Sequence, residues 1–510
     1  MKIKRLLIQP FFIGFFNKFS KIIKLGIDCC SRTRYNYLVE VGMKKFTKTL
    51  SVILVTIIIA TVAVCAFSAC SPKEPDRAII YVTALFSGGL YDSATGKPVW
   101  DPLYTEFSLD DYTSEDGAID FLGIISYIGE QGKDNILGLL TDVISNKETS
   151  FLRQLTLDQD GNGLNPNVVP TNGALLNEDG SLMDSNYGVL GIYKPFFENL
   201  SKEFPDENIH VFNYDWRLSP ADGAMKLEKF INDNDYDEVI LISHSMGGSV
   251  VSSYLARSEE NRDKIISNIM CAPATLGAFD ALMALTDVVT YLDGFIGGLG
   301  LDEDMIDTVK GIVTNLLDGT LGEFLFNNVG LMHLCPTWEY MQSAQYPNAE
   351  KGILIDGVSI KSADELYDFY YTRDWAYYRD ANGEKIPDSS ANASPDGYKL
   401  KPGVLSMREY HESLFIDGVY VGSMVDTYYL LGTNSTTIEA LEYNSSTDSY
   451  SVQFSTLGDG CVPLYSSTAG LNPDSLGDKV IKFDGVDHIS AGLWRCAGED
   501  VVKIIKSKLD

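Results

Sequence analysis

Two stretches of this chain, 78–82 and 239–243, are nearly unbroken apolar runs rather than alternations of apolar and polar residues. A run of that kind suits a strand covered on both faces, as in a parallel sheet. Between them the pattern predicts a helix over 189–204 and a strand over 210–214. After the second run it predicts a helix to about Arg257, then a strand around 265–271. Further strands are expected at 419–431 and 479–483, with a closing helix near 501–508. Strands alternating with helices imply an α/β class chain with a mostly parallel central sheet and helices on both faces. No internal repeat appears.

Two segments break the alternation. Residues 278–332 carry Leu282, Leu285, Val289, Leu292, Ile306, Val309, Ile312 and Leu316 at helical spacing, interrupted by Gly294, Gly297, Gly298 and Gly300. This segment is expected to be a helical lid or cap with the glycine cluster as its hinge. Residues 340–415 are Tyr-rich and polar, with loop composition around 388–397. Both are expected to be insertions covering one domain, 78–510.

The N-terminal end is different. From Met43 three lysines precede an apolar run that ends in Phe67-Ser68-Ala69-Cys70. That layout is a secretory signal over 43–69. Its last four residues resemble a bacterial lipobox, which would make Cys70 the lipid-modified first residue, followed by a tether over 70–77. Two other readings stay open: an uncleaved anchor, since about 20 apolar residues can span a bilayer, and ordinary secretion. The expectation is an extracytoplasmic protein held at the membrane. Residues 1–42 are either a mis-assigned start or a basic, Phe-rich amphipathic lead.

Charge sharpens this division. The 510 residues carry a net −30, yet residues 1–69 hold eleven Lys/Arg against two Asp/Glu, leaving −39 for the remainder. So acidic a body repels phosphate backbones and excludes nucleic acid as a partner. Cys271, Cys335, Cys461 and Cys496 are scattered without CxxC spacing, so no zinc ribbon is expected and their pairing stays open. Asp158-x-Asp160-x-Asn162-Gly163 imitates the start of a calcium loop, but Val169 stands where the last ligand would be, so a solvated turn is expected.

Chemistry concentrates at Ser243-His244-Ser245-Met246-Gly247-Gly248, between a strand and a helix. A sharp strand-to-helix turn exposes its nucleophile at the sheet edge and needs small neighbours two residues away on each side, here Ser243 and Gly247. Ser245 is the expected nucleophile. A serine hydroxyl needs a base and an orienting carboxylate from elsewhere in the chain. Of the five histidines, His488 follows the last expected strand and precedes the terminal helix; His411 is the weaker candidate, and His244 is expected to pack. Asp459, between two glycines, is the expected orienting acid, and the order Ser, Asp, His is that of an α/β-hydrolase. Asp215 and Arg217 are expected to form a structural ion pair, with Trp216 either packing or touching acyl chains.

Several spaced segments together resemble the lecithin:cholesterol acyltransferase-like lipases and acyltransferases. They are Tyr214-Asp215-Trp216-Arg217-Leu218, Ser243–Gly248, Ala272-Pro273 with Leu276-Gly277, the segment 336–340, Leu431-Gly432-Thr433, Gly458–Pro463 and His488. The resemblance implies an α/β-hydrolase fold and an oxyanion hole made by the backbone N–H groups of Met246 and Leu85. Val82-Thr83-Ala84-Leu85 departs from the family's valine-proline-glycine run at Thr83 and Ala84. It further implies a lipid or other acyl-ester substrate, no metal or organic cofactor, and an acyl-enzyme resolved by water or an alcohol. The alternatives are a dedicated acyltransferase and a non-catalytic surface lipoprotein that binds a ligand in a hydrolase-like cleft. Oligomeric state is left open.

Overall fold

The computed structural model describes residues 75–100, 150–170, 173–174, 189–288, 319–343, 352–492 and 494–509. The signal segment, Cys70 and the Gly294–Gly300 hinge lie outside the described residues.

The central sheet has seven strands: β1 (Arg77–Val82), β2 (Gly173–Ala174), β3 (Asn208–Phe212), β4 (Glu238–His244), β5 (Ile265–Cys271), β6 (Thr427–Thr433) and β7 (Val480–Asp484). Their spatial order is β7-β6-β5-β4-β1-β3-β2. Six are parallel, and β2 pairs antiparallel to β3 at the edge. Chain order reverses beside β1, which lies between β3 and β4. The C-terminal ends of β1 and β4 therefore border the crevice where open α/β sheets place their ligands.

The continuous apolar runs are explained by what covers each face. Ala78, Ile80 and Val82 of β1, with Val239 and Leu241 of β4, face the larger core, which includes helices α2 (Pro220–Asp233) and α3 (Met246–Arg257). Their neighbours Ile79, Tyr81, Ile240 and Ile242 face the opposite core. There Phe196, Phe197 and Leu200 of α1 (Val189–Glu203) meet Val501, Val502 and Ile505 of the C-terminal helix (Trp494–Leu509). Alternate side chains of one strand thus enter two separate cores, which leaves no polar position from 78 to 82 or from 239 to 242. Ser219 caps α2 by accepting from the Ala221 N–H, with Pro220 in the first turn.

Three expectations need correction. The strand expected over 210–214 ends at Phe212, because Asn213 onward turns into the loop bearing Trp216 and Arg217. The strand expected over 419–431 is broken: Val419–Tyr420 pairs with Phe415–Ile416, a 3-10 turn follows, and β6 begins only at Thr427. Gly422 makes that turn possible, since a Cβ there would meet the Tyr420 ring at 2.3 Å. Finally, the region after Tyr340 is more than a polar cover. Thr437–Asn444 and Ser449–Ser455 pair antiparallel and, with Ile353–Ile355 and Val358–Ser359, build a second, four-stranded sheet. The tyrosines around it turn inward: Tyr340, Tyr367, Tyr370 and Tyr377 are buried with Trp375 in the larger core. Of the expected lid, the described parts are α4 (Phe279–Thr286) and the short helices Thr320–Phe326 and Val329–His333.

Candidate active site

Ser245 joins β4 to α3 with φ 53° and ψ −123°. A non-glycine residue held there costs about 1–3 kcal/mol, which the packed surroundings must impose. Those surroundings require glycine: a Cβ on Gly247 would lie 2.4 Å from the Val82 carbonyl oxygen, and one on Gly248 would lie 2.6 Å from the Pro273 Cβ. Gly247 therefore permits the close approach of α3 to the end of β1, and Gly248 its approach to Pro273. Met246 opens α3, so its amide lies at the positive end of that helix.

The other two residues reach Ser245 from far along the chain. His488 follows β7, and its Nε2 lies 2.9 Å from Ser245 Oγ. Its Nδ1 lies 2.8 Å from Asp459 Oδ2. A carboxylate can only accept, so Nδ1 carries the proton and the Nε2 lone pair is left to accept the serine hydroxyl. Asp459 is itself fixed: its Oδ1 accepts from Cys461 N–H at 3.0 Å and Val462 N–H at 2.7 Å. Its backbone carbonyl accepts the His488 N–H at 2.6 Å. Gly432 on β6 makes room for both loops, since a Cβ there would be 2.2 Å from the Val486 carbonyl oxygen and 2.9 Å from the Asp459 Cβ. That requirement is the physical content of the Leu431-Gly432-Thr433 segment.

Burial alone would lower the pKa of the His488 imidazole. The charge and hydrogen bond of Asp459, with smaller contributions from Asp280 and Asp487, outweigh it, and the pKa ends raised. The neighbouring His244 goes the other way. Burial, then repulsion from His488, pushes it down to about 3. It stays neutral and donates from Nε2 to the His488 carbonyl oxygen at 3.2 Å. His244 thus anchors the His488 loop as well as packing, a role its adjacency to Ser245 in sequence did not suggest.

The remaining sequence candidates have other duties. His411 is fully buried, with Nε2 donating to the His333 carbonyl oxygen and Nδ1 at 2.9 Å from the Tyr367 hydroxyl. Arg217 grips both oxygens of Asp215, at 2.8 and 2.7 Å, and donates to the carbonyls of Leu155 and Val168. This buried pair clamps the segment after Ser150 rather than facing the reacting groups. Trp216 is wholly buried, its indole donating to the Gly88 carbonyl at 3.0 Å, which is the packing role. Asp158 Oδ1 accepts from the Asp160 and Asn162 amides, closing its own turn. Cys271, Cys335 and Cys461 are free thiols. Leu85 lies three residues beyond β1 and packs partly buried on the larger core, while the Thr83 N–H is taken by the Phe212 carbonyl.

Comparison with known proteins adds a family. Residues 185–290 match the family model described as Lecithin:cholesterol acyltransferase. The span runs from before α1 to beyond α4 and holds both the Tyr214–Leu218 run and the nucleophile turn, whereas Asp459 and His488 lie beyond it. No curated protein matches the chain. Among solved structures, a chain from the crystal structure of the Tle4-Tli4 complex is similar at 12% identity and TM-score 0.42, covering 86% of this chain and 99% of that one. A thermophilic esterase from Thermogutta terrifontis is similar at 11% identity and TM-score 0.27, covering 68% of this chain and 94% of that one. The fold rests on the sheet order itself. Over residues 185–290 the chain is similar to the lecithin:cholesterol acyltransferase family, which supports an acyl-ester hydrolase or acyltransferase in general.

Proposed function

We propose that the protein is a serine-dependent lipid acyl-ester hydrolase that works through an acyl-enzyme at a membrane surface. The observation that carries the reading is the continuous hydrogen-bond relay from Asp459 through His488 to Ser245. Ser245 Oγ attacks the ester carbonyl carbon as its proton passes to His488 Nε2. The imidazolium so formed is held against Asp459, which keeps the ring oriented without taking the proton. The carbonyl oxygen, now an anion, is received by the backbone N–H of Met246 and, following the family resemblance, of Leu85. Losing one such donor costs about 3–4 kcal/mol of transition-state stabilisation in comparable enzymes.

Collapse of the intermediate breaks the bond to the leaving alcohol, which takes the proton from His488 and leaves the acyl group on Ser245. Water then attacks that ester, giving its proton to His488, and the fatty acid departs as the proton returns to Ser245. Every proton is carried by the chain's own groups. The lipid substrate and the membrane setting are supported by the family match and by the leader with Cys70, whose acyl tether would keep the enzyme beside substrates that scarcely leave a bilayer.

A fluorophosphonate probe tests the reading, because it phosphonylates an activated serine. Detergent-solubilised full chain is expected to label at Ser245, and Ser245→Ala to abolish labelling. Absence of labelling in the wild type would favour a non-catalytic binding protein. Incubation of a radiolabelled phospholipid with and without added alcohols then separates the two acyl acceptors. Free fatty acid in every tube marks a hydrolase, and ester formed only with alcohol marks a dedicated acyltransferase.

A further inference from the structure

The mechanism asks the Leu85 N–H to receive an oxyanion, and a loop amide does so effectively only when its direction is fixed beforehand. The loop 83–88 leaves β1 beside the nucleophile turn. A Cβ on Gly247, two residues beyond Ser245, would lie 2.6 Å from the Thr83 carbonyl oxygen. From there the chain turns back: the Ser87 N–H and the Ser87 hydroxyl both donate to the Ala84 carbonyl, at 3.3 and 3.0 Å. Among the described residues, no backbone acceptor takes the Leu85 N–H.

The Ala84 C=O and the Leu85 N–H belong to one planar, trans peptide unit, in which the two groups point in opposite directions. Whatever holds the carbonyl therefore aims the amide. Donation to the carbonyl also polarises the unit and strengthens its N–H as a donor. Ser87 supplies both bonds, and it is buried.

The turn itself is locked. Phe86 has φ 60°, a conformation that bulky residues rarely adopt and that persists only where the surroundings impose it. Here the Phe86 ring packs edge-on to Trp216 with 4.6 Å between centroids, and against Trp100 at 5.8 Å. The Trp100 indole donates to the Phe86 carbonyl at 2.7 Å, and the Trp216 indole to the Gly88 carbonyl at 3.0 Å. Trp100 ends the strand Lys97–Trp100, which pairs with Leu90–Asp92 just beyond the loop. Neither Thr83 nor Ala84 has positive φ, so this turn does not need the proline and glycine they replace.

From this arrangement we infer, on the reading of Ser245 and Leu85 given above, that Ser87 is a positioning residue for the oxyanion hole. Its hydroxyl holds the Ala84 carbonyl and so aims the Leu85 N–H, in a loop that Trp100 and Trp216 keep in place.

The test follows two constants on detergent-solubilised full chain. The first is kinact for a fluorophosphonate probe, measured with its half-saturating concentration KI. Ser245 Oγ displaces fluoride from phosphorus while the phosphoryl oxygen sits in the oxyanion hole. The second is the affinity of butylboronic acid, read by protection from the probe. Ser245 Oγ adds to boron and forms a tetrahedral anion with an oxygen in the same hole. Ser87→Ala keeps the backbone bond and removes the hydroxyl. Its kinact is expected to fall about 5- to 30-fold, short of the roughly 10²–10³-fold lost with a whole donor. KI should stay unchanged, and boronate affinity should fall by a similar factor. Trp100→Phe keeps an aromatic ring and loses the indole donor, and both constants are expected to fall about 3- to 10-fold as the aligned geometry loosens. A merely structural role would lower the fraction of chain that labels and leave these two constants alone.

A wild type that never labels would sink the assignment of Ser245, and this inference with it. With a labelling wild type, an unchanged kinact in Ser87→Ala would overturn the inference alone. So would a lowered kinact with unchanged boronate affinity, because the hydroxyl would then act elsewhere than on the oxyanion. Should Ser87→Ala fail to fold, the same two constants in Trp100→Phe decide, and no change in them overturns the inference.

Discussion

Two buried histidine environments in this molecule are built from similar parts and do opposite things. At the C-terminal edge of the central sheet, His488 is flanked by carboxylates and its pKa is raised. Under the Tyr-rich layer, His333 and His411 are more fully enclosed than His488, but their hydrogen-bond partners are neutral. His333 meets the Ser219 hydroxyl and the Gly403 carbonyl, and its ring stacks on Tyr410. His411 meets the Tyr367 hydroxyl and the His333 carbonyl. Burial pushes His333 down to about 3 and His411 down to about 4. Enclosure alone therefore makes a structural histidine, and enclosure plus an adjacent carboxylate makes a base.

The sharpest way to break this comparison is to take the carboxylate away. Asp459→Asn should leave the fold intact yet lower turnover about 10⁴-fold, because the amide favours the wrong tautomer of His488. A variant within tenfold of wild type in kcat/KM would mean that Asp459 does not govern the ring. The next largest effect concerns space rather than charge. Gly432→Ala places a methyl group against the Val486 carbonyl and the Asp459 Cβ, so both loops must shift. A displacement of about 1 Å costs on the order of 10²-fold in rate, and the loss should appear in kcat more than in KM.

The smallest effect belongs to the structural histidines and is read in stability. His411 has a folded pKa below its unfolded value of about 6.5, so the folded state binds fewer protons between roughly pH 6.5 and 4. Its contribution is complete above that window and is lost as pH falls through it. His411→Gln carries no such proton. The stability gap between wild type and variant should close on acidification by up to about 1.4 kcal/mol per pH unit, measured by urea melts of the two proteins. A gap that stays constant from pH 7 to 4.5 would show that His411 is not held neutral.

Much of the catalytic edge could be read along the chain because its constraints are local. An apolar run must be a doubly covered strand, and the turn after it tolerates only Gly247 and Gly248, since the end of β1 and Pro273 crowd them. Asp459 and His488 are expected from their order and from the strands before them, a weaker signal, and the geometry sets His488 within hydrogen-bonding distance of both Asp459 and Ser245. The anchoring role of His244 did not show, since it depends on a carbonyl 244 residues away.

The second sheet marks the same boundary from the other side. Tyr450, Val452 and Phe454 alternate with Ser449, Ser451 and Gln453, a period-two pattern present in the sequence. Its partner strand is mostly buried and shows little alternation, so the pattern lacks the complement that would identify a pair. What the sequence by itself determined was therefore the set of elements whose covalent neighbours constrain them: the runs, the nucleophile turn and its glycines. What only the tertiary structure decided was which distant groups share a charge or a hydrogen bond, because electrostatic coupling and close packing depend on separation in space, and strand order sets that separation independently of distance along the chain.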